Sequence, residues 1–315
     1  MFRLLSKIII YLVLIFLFLE ILVRVFHLHN DMPTRFVDND NVNKWMPGQH
    51  GYSVHGNRRQ NYAEFHINKA GYNSHRDFQP SIDGFEIAII GDSFIEGFHQ
   101  DYKQSLGKKV EDHIEGIQVY EYGHSATDLA DHLFKIHNNQ DSFDLIDHII
   151  IDIKFEDDLL RNEYHRAKFS KPFFPFLKYS KLATYILNIG FLDKIKDVNR
   201  NVRSMFVKKK RVSEKEAPSV YEIDSLYMSN FKKLISEYGF NKKKTTFLLD
   251  SRVTSKVFID YLDQHKLRYI DYGIAFKNAK EPVTLIYDAH WNNLGRTLIA
   301  EEIVEFLRKE KLLNN

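Results

Sequence analysis

Five short apolar runs, each of strand length, recur along the chain and constrain its fold more than any other feature. They are rich in β-branched and aromatic residues and occupy positions 85–90, 117–122, 148–153, 245–250 and 267–271. Between them apolar residues recur with helical spacing, as at Leu106, Val110 and Ile114. Strands that alternate with helices predict right-handed crossovers and a mostly parallel sheet covered on both faces. We therefore predict a three-layer α/β/α fold.

The first run leads directly into a turn that contains a serine. The stretch "EIAIIGDSFIEGF" (86–98) places Gly91, Asp92 and Ser93 at the carboxyl end of a predicted strand, the edge at which sites form in such sheets. Gly91 lets the backbone bend, and the N–H groups of a following helix stabilise developing negative charge. Ser93 is therefore a candidate nucleophile, but it needs a base because a free hydroxyl reacts poorly at neutral pH.

A candidate base lies about two hundred residues later in "YDAHWNNLG" (287–295). His290 follows Asp288 by two positions, and residues with that spacing point the same way in an extended turn. Asp288 is then able to hold the imidazole in one tautomer while the other ring nitrogen faces Ser93. Taken alone, this segment is also consistent with a structure in which Asp288 caps the next helix and His290 lies on the surface.

Composition narrows the chemistry that is available. The 315 residues include no cysteine, which excludes disulfides and thiolate catalysis. The formal net charge is only +2, so we expect no nucleic-acid partner. No Walker-type or dinucleotide-binding glycine pattern occurs, and we expect no cofactor.

The N-terminus is typical of a membrane anchor. Arg3 and Lys7 lie at the start of an apolar segment, about 4–26, which as a helix is roughly 35 Å long and can cross a bilayer. Glu20 is the costly residue, although it lies toward the end of the span. A cleaved signal peptide is the alternative, but no small-residue cleavage site follows. We expect a retained single-pass anchor at 1–30, with the catalytic domain outside the cytoplasm, in a bacterial periplasm or at the cell surface.

Two segments depart from the alternation of strands and helices. Residues 31–67 are polar and rich in Asn, His, Gly and Pro, and predict a stalk followed by the first loops of the domain. Residues from about 161 to 218 carry an excess of Lys and Arg and form a basic insertion. This insertion is either a solvated excursion, or a cap or surface that meets an anionic polymer or anionic lipid headgroups. Residues 68–315 are expected to form the α/β domain around it.

Several sequence blocks together resemble the GDSL or SGNH hydrolase family. The run "IAIIGDSFIEGF" is similar to the first block of that family, and "INKAGYNSHRDF" (67–78) resembles the approach to it. The segment "VYEYGHSATDL" (119–129) is similar to the second block, and "DAHWNNLGRTLIAEEI" (288–303) resembles the last. The resemblance covers about 68–160 and 245–312 and leaves out the insertion.

The resemblance implies a flavodoxin-like parallel sheet and a serine mechanism. Ser93 occupies the position of the nucleophile, His290 that of the base and Asp288 that of the acid. The backbone amides of Ser93 and Gly123 are implied as donors of an oxyanion hole. The spacing Asp-x-His, where the family's usual block has Asp-x-x-His, is similar to alginate O-acetyltransferase-like members of the superfamily, in which the block precedes the serine.

A further position departs from the family pattern. The third block supplies a side-chain amide to the oxyanion hole, whereas "KFEDDLLRN" has Asp157 at that place. An ionised carboxylate only accepts hydrogen bonds and repels an oxyanion. The resemblance therefore implies that Asp157 is protonated, displaced, or replaced by another donor such as Lys154 or Asn162.

Two other assignments compete for the same residues. "GHSAT" (123–127) echoes a Gly-x-Ser-x-Gly nucleophile elbow with Ser125 as nucleophile, but Thr127 crowds the sharp turn, and His124 is then a residue at the rim. Asp92 together with the carboxylate and imidazole of "DAH" suggests a two-metal phosphoesterase. Because its blocks are in the wrong order, we expect no metal.

The expected function is that of a membrane-anchored serine esterase. Its expected substrates are acyl esters, with O-acetyl groups on cell-envelope polysaccharides as the example that we favour. An O-acetyltransferase with the same triad is the first alternative, since only the acceptor of the acyl group differs. A binding or assembly protein that kept the fold without activity is the second.

Overall fold

The computed structural model describes residues 2–55, 60–167, 179–189, 220–286 and 288–313. Most of the predicted basic insertion and Tyr287 lie outside the described residues. Two compact units are distinguished. One comprises Met1–Met32, Tyr52–Tyr62 and Ser170–Ala217, and the other comprises Pro33–Gly51, Ala63–Phe169 and Pro218–Asn315.

The secondary structure alternates as the sequence predicts. The strands are β1 (Arg35–Val37), β2 (Asn43–Trp45), β3 (His50–His55), β4 (Asn61–His66), β5 (Phe85–Gly91), β6 (Ile117–Gly123), β7 (His148–Asp152), β8 (Thr245–Leu249) and β9 (Tyr269–Asp271). The helices are α1 (Phe2–Val25), α2 (Ser93–Glu96), α3 (Leu106–His113), α4 (Leu129–Asn138), α5 (Gln140–Leu145), α6 (Phe155–Asp158), α7 (Lys181–Asn188), α8 (Val220–Tyr238), α9 (Lys256–Gln264), α10 (Gly273–Asn278) and α11 (Asn293–Lys309).

The larger unit is built on a five-stranded sheet in the order β6-β5-β7-β8-β9, with every neighbouring pair parallel. The chain starts near the middle of the sheet, at β5, and winds outward in both directions. This order is the flavodoxin-like topology, in which ligands bind beyond the carboxyl ends of the strands where the winding reverses. The predicted fold class is confirmed, and β5 and β7 flank that reversal.

Side chains alternate between the two faces of the sheet and produce two cores. Ala88 and Ile90 of β5 face a core closed by α4, α5, α8 and α9. Ile87 and Ile89 face the opposite core, closed by α2, α3, α10 and α11. Because β5 is apolar on both faces, it reads in the sequence as a continuous run rather than as an alternating one. The result is the predicted three-layer arrangement.

The segment expected as a stalk contains four strands. β1 pairs with β2 in an antiparallel sheet, and β3 pairs with β4 in a second two-stranded sheet. Trp45, Phe65 and Ile67 form a small core of their own, against which Phe98 packs. The polar composition of 31–67 hid this core because half of the residues in β3 and in β4 are polar, so neither strand forms an apolar run.

The smaller unit contains α1 and α7. Among the described residues, α1 is the one helix long and apolar enough to cross a membrane, and its 24 residues are almost entirely exposed. A signal sequence has the same length and composition. The two helices contact each other near the C-terminal end of α1.

Candidate active site

Ser93 stands where β5 turns into the short helix α2. Asp92 caps this helix, and its Oδ1 accepts a hydrogen bond from the backbone N–H of Phe94 at 2.9 Å. The helix ends after one turn at Gly97, whose φ of 71° is left-handed and suits glycine. The turn thus presents Ser93 at the carboxyl edge of the sheet, half-buried, as the sequence predicts.

A partly buried group of ion pairs with Lys154 at its centre holds this turn in place. Lys154 Nζ lies 2.9 Å from Asp92 Oδ2 and 3.1 Å from Asp152 Oδ2, and it lies over the ring of Phe94. Burial disfavours the charged amine, but the carboxylates of Asp152 and Asp92 outweigh burial and raise the pKa of Lys154. Burial also raises the pKa of Asp152, to about 6. The charged amine of Lys154 therefore forms an ion pair with Asp92, the carboxylate that caps the turn.

Two glycines allow the ends of β5 and β6 to meet α2. Gly91 pairs with Gly123 in the register of the two strands, and His124 N–H donates to the Gly91 carbonyl at 3.0 Å. A Cβ at Gly123 would lie 2.0 Å from the backbone nitrogen of Glu96. The position therefore requires glycine because backbone, which cannot move aside, occupies the space of a side chain.

The structure brings Ser93, His290 and Asp288 together. Ser93 Oγ lies 2.7 Å from His290 Nε2, and His290 Nδ1 contacts Asp288 Oδ1. The same carboxylate oxygen accepts the backbone N–H of His290 at 3.0 Å. Because a carboxylate only accepts, Nδ1 carries the proton and Nε2 is free to accept the proton of the serine. This is the order of groups that activates a hydroxyl nucleophile.

The electrostatics of Asp288 match that arrangement. Partial burial raises the pKa of Asp288, but the hydrogen bonds from His290 and the charge of His99 outweigh burial and hold this pKa below its ordinary value. The carboxylate is therefore ionised at neutral pH, as it must be to orient an imidazole and to stabilise an imidazolium.

A second histidine lies against the base. The rings of His99 and His290 stack with their centroids 3.8 Å apart and their planes 20° apart, and His99 Nε2 lies 3.3 Å from Asp288 Oδ2. These three residues are also a cluster of metal-ligand type. Imidazole lone pairs lie in the ring plane, so stacked rings present them side by side and do not converge on one ion. The arrangement fits hydrogen bonding better than metal binding.

The side of the site that carries Gly123 is held by a buried carboxylate. Glu96 Oε1 accepts from Trp45 Nε1 at 2.6 Å and from the Ser125 backbone N–H at 3.0 Å. The Glu96 carbonyl accepts from Asn73 Nδ2 at 2.9 Å. Burial raises the pKa of Glu96 to about 7. This network connects α2 to the loop after β6 and so fixes the two amides predicted to form the oxyanion hole.

The other side chains predicted for the oxyanion hole lie outside it or are bonded to other groups. Asp157 is exposed on α6, and its backbone N–H donates to the Lys154 carbonyl at 3.1 Å. The adjacent Asp158 is the buried carboxyl, and its Oδ2 accepts the Lys154 N–H at 2.7 Å. Asn162 Oδ1 accepts from Lys233 Nζ at 3.3 Å. None of these contacts joins the oxyanion hole, and a role for Asp157 in it stays a prediction.

The competing serine faces a cation and the buried carboxyl of Glu96 rather than an imidazole. Ser125 Oγ accepts from Arg35 Nη2 at 2.8 Å. His124 is buried and stacks on Trp45 at 4.8 Å between ring centroids, and burial lowers the pKa of His124 to about 3. Its Nδ1 contacts the Ser125 carbonyl at 3.1 Å, so the ring is directed to backbone rather than to the hydroxyl.

Sequence reasoning missed four residues of this site, namely His99, Glu96, Trp45 and Asn73. Three of them lie in or beside the sequence blocks 67–78 and 86–98. Glu96 and His99 follow the serine by three and six positions, within and just after the turn, and Asn73 belongs to "INKAGYNSHRDF". Trp45 carries the weakest signal, since it lies in the segment expected as a stalk.

No family model and no curated protein match this chain, but several solved structures do. A member of the lipolytic protein G-D-S-L family from Veillonella parvula is 14% identical with a TM-score of 0.42, and the match covers 71% of this chain and 99% of that chain. The lipase/acylhydrolase from Enterococcus faecalis is 14% identical with a TM-score of 0.40, over 72% of this chain and 96% of that one.

A third structure extends the series. It is a catalytic mutant of an acetylxylan esterase from Geobacillus stearothermophilus, 14% identical with a TM-score of 0.36, matched over 72% of this chain and 94% of that chain. The chain resembles GDSL/SGNH hydrolase structures. The function of this chain is therefore inferred from the geometry of its own site.

Proposed function

We propose that this protein is a serine acyl hydrolase that acts on esters and is anchored in a membrane by α1. The observation that carries the proposal is the 2.7 Å contact from Ser93 Oγ to His290 Nε2, with Asp288 on the other ring nitrogen. A serine, an imidazole and a carboxylate in this order have a specific chemical use, and the assembled geometry favours an enzyme over a binding protein that merely kept the fold.

The proposed reaction proceeds through an acyl-enzyme. Ser93 Oγ attacks the ester carbonyl while His290 Nε2 takes its proton, and Asp288 stabilises the imidazolium that forms. The backbone N–H groups of Ser93 and Gly123 donate to the oxyanion of the tetrahedral intermediate. His290 then protonates the leaving alcohol. Water, activated by the same histidine, attacks the acyl-enzyme and releases the acid and free Ser93.

The substrate class that we favour is an O-acetyl ester on a cell-envelope glycan. Transfer of the acyl group to a sugar hydroxyl uses the same triad and differs only in the acceptor. The Asp-x-His spacing is the observation that supports this second function. Acetylated product that accumulates when a glycan acceptor is added to a chromogenic acetate would identify the transferase.

Retention of α1 as an anchor is supported by a contact within the smaller unit. Glu20 Oε1 accepts from Arg24 Nε at 2.7 Å and from the backbone N–H of Lys181 at 2.9 Å. Its Oε2 accepts from Ser180 Oγ at 2.8 Å and from the Leu182 N–H at 2.9 Å. The acid that is costly in a span therefore accepts two backbone N–H groups at the start of α7, beside the Ser180 cap, and removal of a signal peptide would take this acceptor away from both groups.

The anchor is tested on protein recovered from membranes. We expect a mass that includes α1, and a polypeptide that resists extraction with carbonate. A mature N-terminus beyond about residue 26 would show cleavage. Protease digestion of the α/β domain in spheroplasts, but not in intact cells, is expected if the N-terminus is cytoplasmic and the domain periplasmic.

Catalysis is tested with the full chain in detergent and p-nitrophenyl acetate as substrate. We expect Ser93→Ala to lower kcat/KM by a factor of about 1,000 or more, because the nucleophile is lost. Ser125→Ala is the matched control and is expected to keep the rate within about threefold, since its hydroxyl faces Arg35. A wild-type rate in Ser93→Ala, or loss of activity in Ser125→Ala alone, would contradict the proposal.

A further inference from the structure

His99 occupies a place that the proposed triad leaves unexplained. It lies beyond the C-terminal end of α2, is buried, and stacks on the candidate base with ring centroids 3.8 Å apart. Its Nε2 lies 3.3 Å from Asp288 Oδ2, while the other carboxylate oxygen, Oδ1, serves His290. The single carboxylate of Asp288 therefore joins two imidazoles, one on each oxygen.

We propose that His99 is a positioning residue that acts on the base through Asp288. The inference rests on the proposed function, because it assigns His99 a role in the same acyl transfer. Asp288 only accepts, so the contact requires a proton on His99 Nε2. A donor on Oδ2 limits rotation of the carboxylate and keeps Oδ1 directed at His290 Nδ1, much as outer hydrogen bonds orient the ligands of a metal site.

The location of the two partners explains why such a donor is needed. Asp288 and His290 lie in an irregular segment between Thr284, which bridges Trp291, and the start of α11. The side chain of Asp288 is 27% exposed, whereas that of His99 is 9% exposed. The buried histidine is therefore the fixed partner, and the carboxylate on the loop is the group that it holds.

Stacking of His99 on His290 has an effect of its own, which the experiment must distinguish from that of the hydrogen bond to Asp288. The ring of His99 covers one face of His290 and excludes water from it, and any aromatic ring of similar size does the same. His99→Phe keeps a ring but removes the donor. His99→Gln removes the ring but places an amide N–H close to the position of Nε2. The two variants therefore separate hydrogen bonding from packing.

The experiment measures kcat and KM of both variants in the full chain, with thermal unfolding as a check of the fold. We expect His99→Phe to lower kcat about tenfold with KM within about twofold, the effect of one hydrogen bond used mainly in the transition state. His99→Gln is expected to stay within about threefold of the wild type. His265→Gln, at an exposed histidine on α9's C-terminal end, is the matched control. Equal losses in both variants, or no loss in either, would overturn the proposal.

A second readout does not depend on turnover. In protein labelled with ¹⁵N-histidine, the Nδ1 proton of His290, identified from its absence in His290→Gln, should resonate downfield in the wild type and in His99→Gln and move upfield in His99→Phe. An unchanged resonance in His99→Phe would overturn the proposal. If the wild type hydrolyses no ester, the proposed function fails, and this spectrum still decides whether His99 positions Asp288.

Discussion

The two sides of the candidate site are built differently. On the base side, Asp288 and His290 lie on an irregular segment, with side chains 27% and 17% exposed. On the nucleophile side, Gly91 and Gly123 end two paired strands, and the buried carboxyl of Glu96 connects α2 to the loop after β6. Precision on the second side comes from the sheet, whereas on the first it comes from a few side-chain hydrogen bonds. We therefore expect changes on the base side to alter rate, and changes on the nucleophile side to alter stability as well.

The largest expected effect is on the base side. Asp288→Asn keeps the shape of the side chain but removes its charge and permits the wrong tautomer of His290. We expect kcat to fall by a factor of about 1,000 to 10,000 with the unfolding temperature almost unchanged. Steady-state kinetics and a thermal scan measure both quantities. A large loss of stability would show that this segment is part of the core after all.

The next largest effect is on the nucleophile side. Gly123→Ala places a methyl group 2.0 Å from the Glu96 nitrogen, and backbone must shift to accept it. We expect a loss of about 2–3 kcal/mol of stability, together with most of the activity. Gly84→Ala is the matched control, because its nearest neighbour is 4.0 Å away. Denaturant unfolding of both variants makes the comparison, and equal stabilities would refute the close approach.

A pH-dependent effect separates the two sides further. Burial raises the pKa of Glu96 from 4.5 to about 7, so the stability that its protonated form contributes is full below about pH 4.5 and lost as pH rises through about 7. Glu96→Gln keeps an acceptor for Trp45 and does not titrate. The free energy of unfolding of Glu96→Gln, measured relative to that of the wild type, should therefore rise by about 2–3 kcal/mol between pH 4.5 and pH 8. If the stability difference between Glu96→Gln and the wild type were the same at both pH values, the Glu96 carboxyl would be solvated, which would contradict this account.

The smallest effect is expected at Asp157. Its exposed side chain predicts that Asp157→Asn changes kcat/KM by less than about twofold. Steady-state hydrolysis of a chromogenic ester is sufficient to measure it. A rise of about tenfold or more would instead place this side chain in the oxyanion hole, since a restored amide donor is worth at least that much.

The same contrast explains how much the sequence could reveal. The strands and the turn at Ser93 follow from local periodicity, and a serine and a histidine 197 positions apart meet because parallel strands end at one edge. His99 and Trp45 could not be found in this way. Their partners are distant in sequence, and a lone buried histidine or tryptophan has the same local pattern whether it packs or positions a catalytic group. The strands at 35–66 were missed because they mix polar and apolar residues and form no apolar run like those of the main sheet.

The central claim is that Ser93 is an activated nucleophile. A fluorophosphonate probe followed by mass spectrometry of the intact chain and its peptides tests it most directly. We expect one adduct per chain on the peptide that contains Ser93, its loss in Ser93→Ala, and a rate at least about 100-fold lower in His290→Gln. A folded wild-type protein that takes up no label, or that carries the label on Ser125, would contradict the account.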